Sequence, residues 1–191
     1  IQVGHLKDFE EKEDWRMERE EEPKRLRDLR PITPAATKPL KFFISYAHED
    51  EQYKDRLKDE LLVLEISEII TVWNDRDLIP GKDVDEEIIA KQLEPAEVIC
   101  MLISKSYLKS KYCLFEMKIA IEKAKNNTCC VIPIIVERVP NFDILPFSKI
   151  VSLPKDGYDN PVCLCEDQDA VWQEINEGIT KLIEELRKQK A

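Results

Sequence analysis

The stretch "EVICMLISKSYLKSKYCLFEMKIAIEKAK" (Glu97–Lys125) contains two hydrophobic patterns, one after the other. Its first part is an almost unbroken apolar run, which is typical of a strand buried on both faces of a parallel sheet. Its second part begins at Ser110, a residue type that favours helix N-caps. From there the apolar residues recur at helical spacing, namely Cys113, Met117, Ala120, Ile121 and Ala124. A buried strand followed by an amphipathic helix predicts an α/β fold.

The same alternation continues on both sides of this stretch. Predicted strands cover residues 40–46, 68–74, 97–104, 129–137 and 148–154, and helical patterns lie between most of them and after the last. The sequence therefore predicts a flavodoxin-like fold, a five-stranded parallel sheet in the order 2-1-3-4-5 with helices on both faces. Ligands of such sheets bind beyond the carboxyl ends of the strands. The segments expected at that edge are "SYAHED", "WNDRDLIPG" and "SKSYLKSKYC".

The first 39 residues differ in character from the rest. Residues 1–30 carry 18 charged side chains, 10 acidic and 8 basic, which predicts a helical or disordered arm in contact with solvent. The segment "PITPAATKP" (31–39) contains three prolines and predicts a linker. The predicted folded domain therefore spans residues 40–191, with its boundary near Lys38.

Charge and composition narrow the classes of partner. The formal net charge of -10 argues against a general binder of nucleic acid or of anionic membranes. No apolar run approaches the roughly 20 residues of a membrane-spanning helix. The positions of the six cysteines do not indicate a disulfide framework. This favours free thiols and a cytoplasmic location. With only two histidines in the chain, no metal site is predicted.

The predicted ligand edge lacks the motifs of several familiar chemistries. The sequence has no G-x-G-x-x-G and no G-x-x-x-x-G-K, so neither standard glycine loop holds a nucleotide. A serine or cysteine nucleophile would need a paired base, and His48 is the only histidine after residue 39. What remains at this edge is a set of aromatic residues and one carboxylate.

That carboxylate, Glu116, has an unusual position in the helical pattern. Helical geometry places it about 80° from the middle of the apolar stripe, which predicts a position at the rim of the core. No basic residue stands three or four positions away from it. Two interpretations remain open on this ground. The carboxylate interacts favourably with the helix dipole, or it binds sugar hydroxyls or stabilises an oxocarbenium ion beside aromatic rings.

Three separated motifs resemble those of Toll/interleukin-1 receptor (TIR) domains and occur in the same order. They are "FFISYAHEDEQ" (42–52), "VWNDRDLIPGKDVDEEI" (72–88) and "AEVICMLISKSYLKSKYCLFEMKIAI" (96–121). The resemblance covers the chain from Lys38 to its C-terminus. Some TIR domains are adaptors that assemble with other TIR domains. Others, especially bacterial, plant and neuronal ones, cleave NAD+ at the nicotinamide–ribose bond.

The resemblance to the cleaving members implies roles for particular residues. Glu116 stands in the place of their catalytic glutamate, and Trp73 in the place of an aromatic residue that stacks on the base. Tyr112 stands where tryptophan is common, and Ala47 where arginine is common. The loop from Asp75 to Gly81 corresponds to one that controls access and assembly. The resemblance thus assigns substrate binding to Tyr46, Ala47, Trp73, Asp75, Ser106 and Tyr112, and assembly to Asp77, Leu78, Ile79, Pro80 and Gly81.

The function implied by the resemblance is an NAD+ glycohydrolase or cyclase that is activated by self-assembly in immune or defence signalling. NAD+ is then a substrate, and no cofactor is predicted. The implied partners are NAD+, other TIR domains, and a sensor or regulatory domain N-terminal to this segment. Two alternatives remain: a non-enzymatic scaffold that signals by homotypic assembly, and a nucleotide-binding module without turnover.

Overall fold

The computed structural model describes residues 38–74 and 86–190. The predictions of an arm at 1–30 and of most of the linker at 31–39 lie outside these residues. The same holds for Asp75 and for the predicted assembly residues Asp77, Leu78, Ile79, Pro80 and Gly81.

A four-stranded parallel sheet forms the centre of the described domain. Its strands are β1 (Leu40–Ser45), β2 (Ile70–Asn74), β3 (Val98–Ile103) and β4 (Cys130–Ile135), in the order β2-β1-β3-β4. All three strand pairs are parallel. The predicted α/β class and the strand order 2-1-3-4 are therefore confirmed.

The predicted fifth strand has the right place but the wrong length. Residues 148–154 contribute only a single parallel bridge, between Leu153 and Ile134 of β4. The Leu153 N–H donates to the Pro133 carbonyl at 2.9 Å, and the Ile135 N–H donates to the Leu153 carbonyl at 2.8 Å. The next residue whose N–H would face β4 is Lys155, and this N–H donates instead to Glu174 Oε1 at 2.9 Å. The pairing with β4 is therefore limited to Leu153.

Five helices cover the sheet in the described part of the chain. They are α1 (Glu51–Ile66), α2 (Glu86–Leu93), α3 (Lys105–Lys109), α4 (Lys111–Lys125) and α5 (Gln168–Lys190). Short 3-10 turns lie at His48–Asp50, Phe142–Ile144 and Val162–Leu164. None of the helices in the described ranges is long and apolar enough to span a membrane.

The short helix α3 was not predicted, and tandem serine caps explain it. The Ser104 side chain accepts a hydrogen bond from the Tyr107 N–H at 2.9 Å and begins α3. Ser110 ends α3 in an extended conformation and begins α4, where its side chain accepts from the Cys113 N–H at 3.3 Å. The predicted N-cap at Ser110 is thus confirmed, and a second cap precedes it.

Successive side chains of β1 point to opposite faces of the sheet and contribute to two apolar clusters. Leu40, Phe42 and Ile44 pack with residues of α1 and α5. Phe43 packs with residues of α2, α3 and α4 on the other face. Because Ser45 follows in the same alternation as Phe43, its side chain is directed to the face of the sheet that α4 covers.

Candidate active site

Glu116 is buried, with only 2% of its surface exposed. The prediction of a position at the rim of the core was therefore wrong, because α4 lies close enough to β1 to cover this side of the helix as well. Glu116 is also the sixth residue of α4, whereas dipole effects are concentrated in the first turn, which here contains no acidic residue. An interaction with the helix dipole therefore does not account for this carboxylate.

A chain of two hydroxyl groups leads to the Glu116 carboxylate. The Ser45 hydroxyl at the end of β1 donates a hydrogen bond to Glu116 Oε2. The Tyr107 hydroxyl of α3 lies 2.8 Å from Ser45 Oγ. Ser45 and Tyr107 have no exposed surface. The carboxylate is thus held where β1, α3 and α4 meet, near the carboxyl end of the sheet.

A second buried carboxylate–hydroxyl pair lies at the same edge. Ser104 donates from Oγ to Asp50 Oδ2 at 2.5 Å, and Asp50 is only 6% exposed. Burial raises the pKa of Asp50, and the Ser104 hydrogen bond partly opposes that shift. Ser104 is also the N-cap of α3, so the Asp50 pair fixes the start of the helix that carries Tyr107.

The structure brings only some of the predicted substrate-binding residues to the face of the sheet that carries Glu116. Ala47 belongs to the apolar cluster on that face, and Trp73 packs against it with its ring centroid 5.6 Å from that of Phe43. Tyr46 instead belongs to the cluster on the opposite face, where Lys54 Nζ lies 5.5 Å from its ring centroid.

The other two described candidates lie on the helices beside Glu116. Tyr112, on α4, is 52% exposed, and Ser106, on α3, is half-buried. Another tyrosine, the buried Tyr107, is linked to the Glu116 carboxylate through Ser45.

Sequence patterns did not single out Ser45, Asp50 or Ser104 as site residues, and they placed Tyr107 only among the aromatic residues expected at this edge. Ser45 and Ser104 are both the first polar residue after an apolar strand, so their position was visible in the sequence. Their hydrogen-bond partners could not be predicted from local sequence patterns. Ser45, for example, is 71 residues from Glu116 and 62 from Tyr107.

A separate groove runs beside the outer edge of β4 and has a volume of about 720 Å³. Its walls are mostly apolar, with Val131, Ile150 and Leu182 among them, and they include neither Glu116 nor its hydroxyl partners. Among the described residues, no group of three or more His, Cys, Asp and Glu side chains is arranged to hold a metal ion. The Glu116 cluster is therefore the better candidate for chemistry.

The fold and this cluster define an α/β domain with buried polar groups at the carboxyl edge of a parallel sheet. A family model described as "TIR domain" matches residues 42–161, which is more than half of the chain. The chain therefore belongs to the TIR domain family, as the three motifs predicted. TIR domains act in signalling and typically interact with other TIR domains.

Similar proteins come from bacteria and animals. The uncharacterized protein y4lF of Sinorhizobium fredii (strain NBRC 101917 / NGR234) is 30% identical over 138 residues, which cover 72% of this chain and 42% of that protein. Toll-like receptor 4 of Pinctada imbricata is 28% identical over 143 residues, which cover 72% of this chain and 15% of that receptor. The chain thus spans less than half the length of either relative.

Two solved structures are similar at low sequence identity. The TIR domain of the Toll-related receptor TRR-2 from Hydra magnipapillata has a TM-score of 0.47 at 21% identity, covering 73% of this chain and 97% of that one. The TIR domains of the activated Roq1 resistosome, which recognises the pathogen effector XopQ, have a TM-score of 0.45 at 20% identity, covering 76% of this chain and 84% of that one.

Proposed function

We propose that this TIR domain cleaves NAD+ at the nicotinamide–ribose bond and that Glu116 is the catalytic residue. The observation that carries the proposal is a buried carboxylate, near the carboxyl end of a parallel sheet, that accepts a hydrogen bond from the end of β1. Ligands of such sheets bind at this edge. The family includes members that cleave NAD+.

The chemistry needs one carboxylate rather than two. The bond between the ribose C1′ and the nicotinamide nitrogen breaks, and its electron pair leaves with nicotinamide, a good leaving group because it is a pyridinium in NAD+. Positive charge develops on the ribose in an oxocarbenium-like transition state, which a nearby carboxylate stabilises. Water then forms a bond to C1′ and loses a proton, giving ADP-ribose, or an internal nucleophile gives a cyclic product.

The burial of Glu116 supports a model in which assembly controls activity. A carboxylate that is only 2% exposed in a single chain must become accessible before it contacts a ribose. We propose that association with other TIR domains supplies this change, through the segment Asp75 to Gly81. The competent site then exists only in the assembled fraction, so an isolated domain has low activity.

The same burial also favours a second candidate function. If Glu116 never becomes accessible, its hydrogen bond with Ser45 serves only to tie α4 to β1. The domain would then be a scaffold that signals by homotypic assembly without turnover. A third candidate, a nucleotide-binding module, would bind NAD+ without releasing nicotinamide.

The biological setting belongs to this proposal as well. We place the domain in immune or defence signalling in the cytoplasm, under the control of a sensor or regulatory domain N-terminal to this segment. The free state of all six cysteines, which lie within the described ranges, agrees with a reducing compartment.

Replacement of Glu116 by glutamine tests the proposal. We expect Glu116→Gln to lower nicotinamide release by at least about 100-fold, because the charge that stabilises the transition state is lost. The measurement is nicotinamide release by concentrated protein, with the size of the protein followed in the same samples. The matched control is Glu122→Gln, the same change at an exposed position of the same helix.

The outcomes separate the three candidates. Nicotinamide release that depends on Glu116 and not on Glu122 supports the enzyme. Assembly without release supports the scaffold, and saturable NAD+ binding without release supports the binding module. A Glu116→Gln variant within a few-fold of wild type would show that another residue stabilises the transition state.

A further inference from the structure

The hydroxyl groups of Ser45 and Tyr107 form a buried chain that ends at the Glu116 carboxylate. Ser45 Oγ lies 2.8 Å from the Tyr107 hydroxyl and donates to Glu116 Oε2. The three residues come from three different elements, β1, α3 and α4, and each is at most 2% exposed. All three side chains are therefore shielded from bulk solvent.

The direction of these hydrogen bonds follows from the number of protons. A serine hydroxyl has one proton, and Ser45 donates it to Glu116. Ser45 Oγ is then an acceptor toward Tyr107, so the Tyr107 hydroxyl is the donor in that contact. Burial and the neighbouring Glu116 raise the pKa of Tyr107 well above its ordinary value, so this donor keeps its proton over the range in which the protein functions.

Tyr107 is itself fixed at its backbone. Its N–H donates to Ser104 Oγ at 2.9 Å, and the Ser104 hydroxyl donates to the buried Asp50 carboxylate. The ring is fully buried in the apolar cluster beneath α3 and α4. The phenol oxygen therefore has little freedom to leave Ser45, and Ser45 has little freedom to leave Glu116.

We propose that Ser45 and Tyr107 are positioning residues that fix the Glu116 carboxylate for NAD+ cleavage, a role that rests on the function proposed above. Both residues act through Glu116 and neither contacts the substrate. Tyr107 acts through Ser45, so the two are arranged in series. A fixed carboxylate pays no reorganisation cost as charge develops on the ribose, which is the basis of electrostatic preorganisation.

The arrangement in series makes a specific prediction about variants. Removing a hydrogen bond to a charged group changes a rate by roughly 10-fold or more, so Ser45→Ala should lower kcat by about that factor. Tyr107→Phe should lower kcat by a smaller factor, because Ser45 still donates to the carboxylate. The double variant should have nearly the kcat of Ser45→Ala alone, since the hydrogen bond that Tyr107 donates goes to Ser45.

The experiment measures kcat and KM for nicotinamide release from NAD+ under assembling conditions, together with the Tm of each variant. Ser45→Thr retains the hydroxyl and should restore most of the kcat. Two controls remove a hydroxyl elsewhere: Tyr158→Phe, at a tyrosine that packs on Phe142, and Ser148→Ala, at a serine that donates to the Asp143 carbonyl. Both should have the kcat of wild type.

The proposal is supported if kcat falls with KM unchanged, if the two effects are not additive and if Ser45→Thr is active. This inference fails while the proposed function stands if wild-type activity depends on Glu116 but Tyr107→Phe and Ser45→Ala have the wild-type kcat. Additive losses of kcat that follow losses of Tm also overturn it, because they indicate a structural role. If wild type releases no nicotinamide, the proposed function fails first and this inference fails with it.

Discussion

At the scale of single residues, four buried polar side chains near the carboxyl ends of the strands form two pairs. Ser45 donates to Glu116 and Ser104 donates to Asp50. A buried carboxylate without such a donor would cost several kcal/mol, so each serine compensates part of the desolvation of its partner. These pairs explain how two carboxylates are retained in a core that is largely apolar.

Asp50 should make the domain less stable as the pH rises. Burial raises the pKa of Asp50 from its ordinary value of 3.8, so the folded state binds its proton more tightly than the unfolded state does. The contribution of Asp50 to stability is therefore largest below its ordinary pKa and is lost as the pH rises through the raised pKa. We expect Asp50→Asn, which has no proton to lose, to remove this part of the pH dependence.

The measurement is Tm as a function of pH for wild type, Asp50→Asn and the control Asp59→Asn, a change at an exposed position of α1. The Tm of Asp50→Asn relative to wild type should increase from acidic to neutral pH, and that of the control should not. A constant difference between Asp50→Asn and wild type across this range would contradict the prediction.

Trp73 tests the substrate-binding assignment on the Glu116 face. Its ring packs edge-on against Phe43 and is only half-buried, which leaves part of the indole for a base. A stacked aromatic contributes about 1 kcal/mol beyond burial, so Trp73→Ala should raise the NAD+ concentration for half-maximal activity about fivefold. For Trp73→Phe, the NAD+ concentration for half-maximal activity should lie between those of wild type and Trp73→Ala. If Trp73→Ala lowers only Tm and leaves the NAD+ dependence unchanged, the ring is a lid on the core.

At the scale of elements, α3 and α4 begin at serine caps that differ in one respect. The Ser110 hydroxyl caps α4 by accepting from a backbone N–H. The Ser104 hydroxyl caps α3 in the same way and also donates to Asp50. Loss of an N-cap costs about 1 kcal/mol, and loss of a hydrogen bond to a charged group costs about 1.5–3 kcal/mol. Ser104→Ala should therefore destabilise the domain by clearly more than Ser110→Ala.

Urea unfolding of the two variants at neutral pH measures this difference. Each variant serves as the control for the other, because both remove one serine hydroxyl from a helix N-cap. Equal losses of unfolding free energy would mean that the contact between Ser104 and Asp50 adds nothing at that pH.

At the scale of the whole molecule, activity should depend on protein concentration. The predicted assembly segment places Leu78 and Ile79 among charged residues, a composition that suits a modest, reversible interface. The net charge of -10 adds repulsion between copies, so moderate salt should favour assembly. We expect the specific activity to rise with concentration and Ile79→Asp to suppress that rise without a change in Tm.

The matched control is Ile144→Asp, which places the same charge at an exposed isoleucine of the 3-10 turn Phe142–Ile144. It should keep the concentration dependence of wild type. Activity per molecule that stays flat across a hundredfold dilution, with Ile79→Asp as active as wild type, would mean that the site is complete within one chain.

The sequence by itself determined the fold class, the positions of the four paired strands, the N-cap at Ser110 and the family. These features depend on local patterns, such as apolar runs, helical spacing and cap residues, which a chain carries in its own order. The length of the fifth strand could not be predicted correctly from the sequence. Its apolar pattern continues to Leu153, but strand pairing depends on backbone donors and acceptors of another segment.

Only the tertiary structure decided which groups surround Glu116. The helical pattern predicts the direction of the Glu116 side chain about the axis of α4, but not how closely β1 packs against that helix. It therefore predicted a position at the rim of the core for a carboxylate that is buried. It placed Tyr112 one helical turn before Glu116, but it did not show that Ser45 links the carboxylate to Tyr107. Contacts between residues 62 and 71 positions apart arise from the packing of strands against helices, which no local pattern encodes.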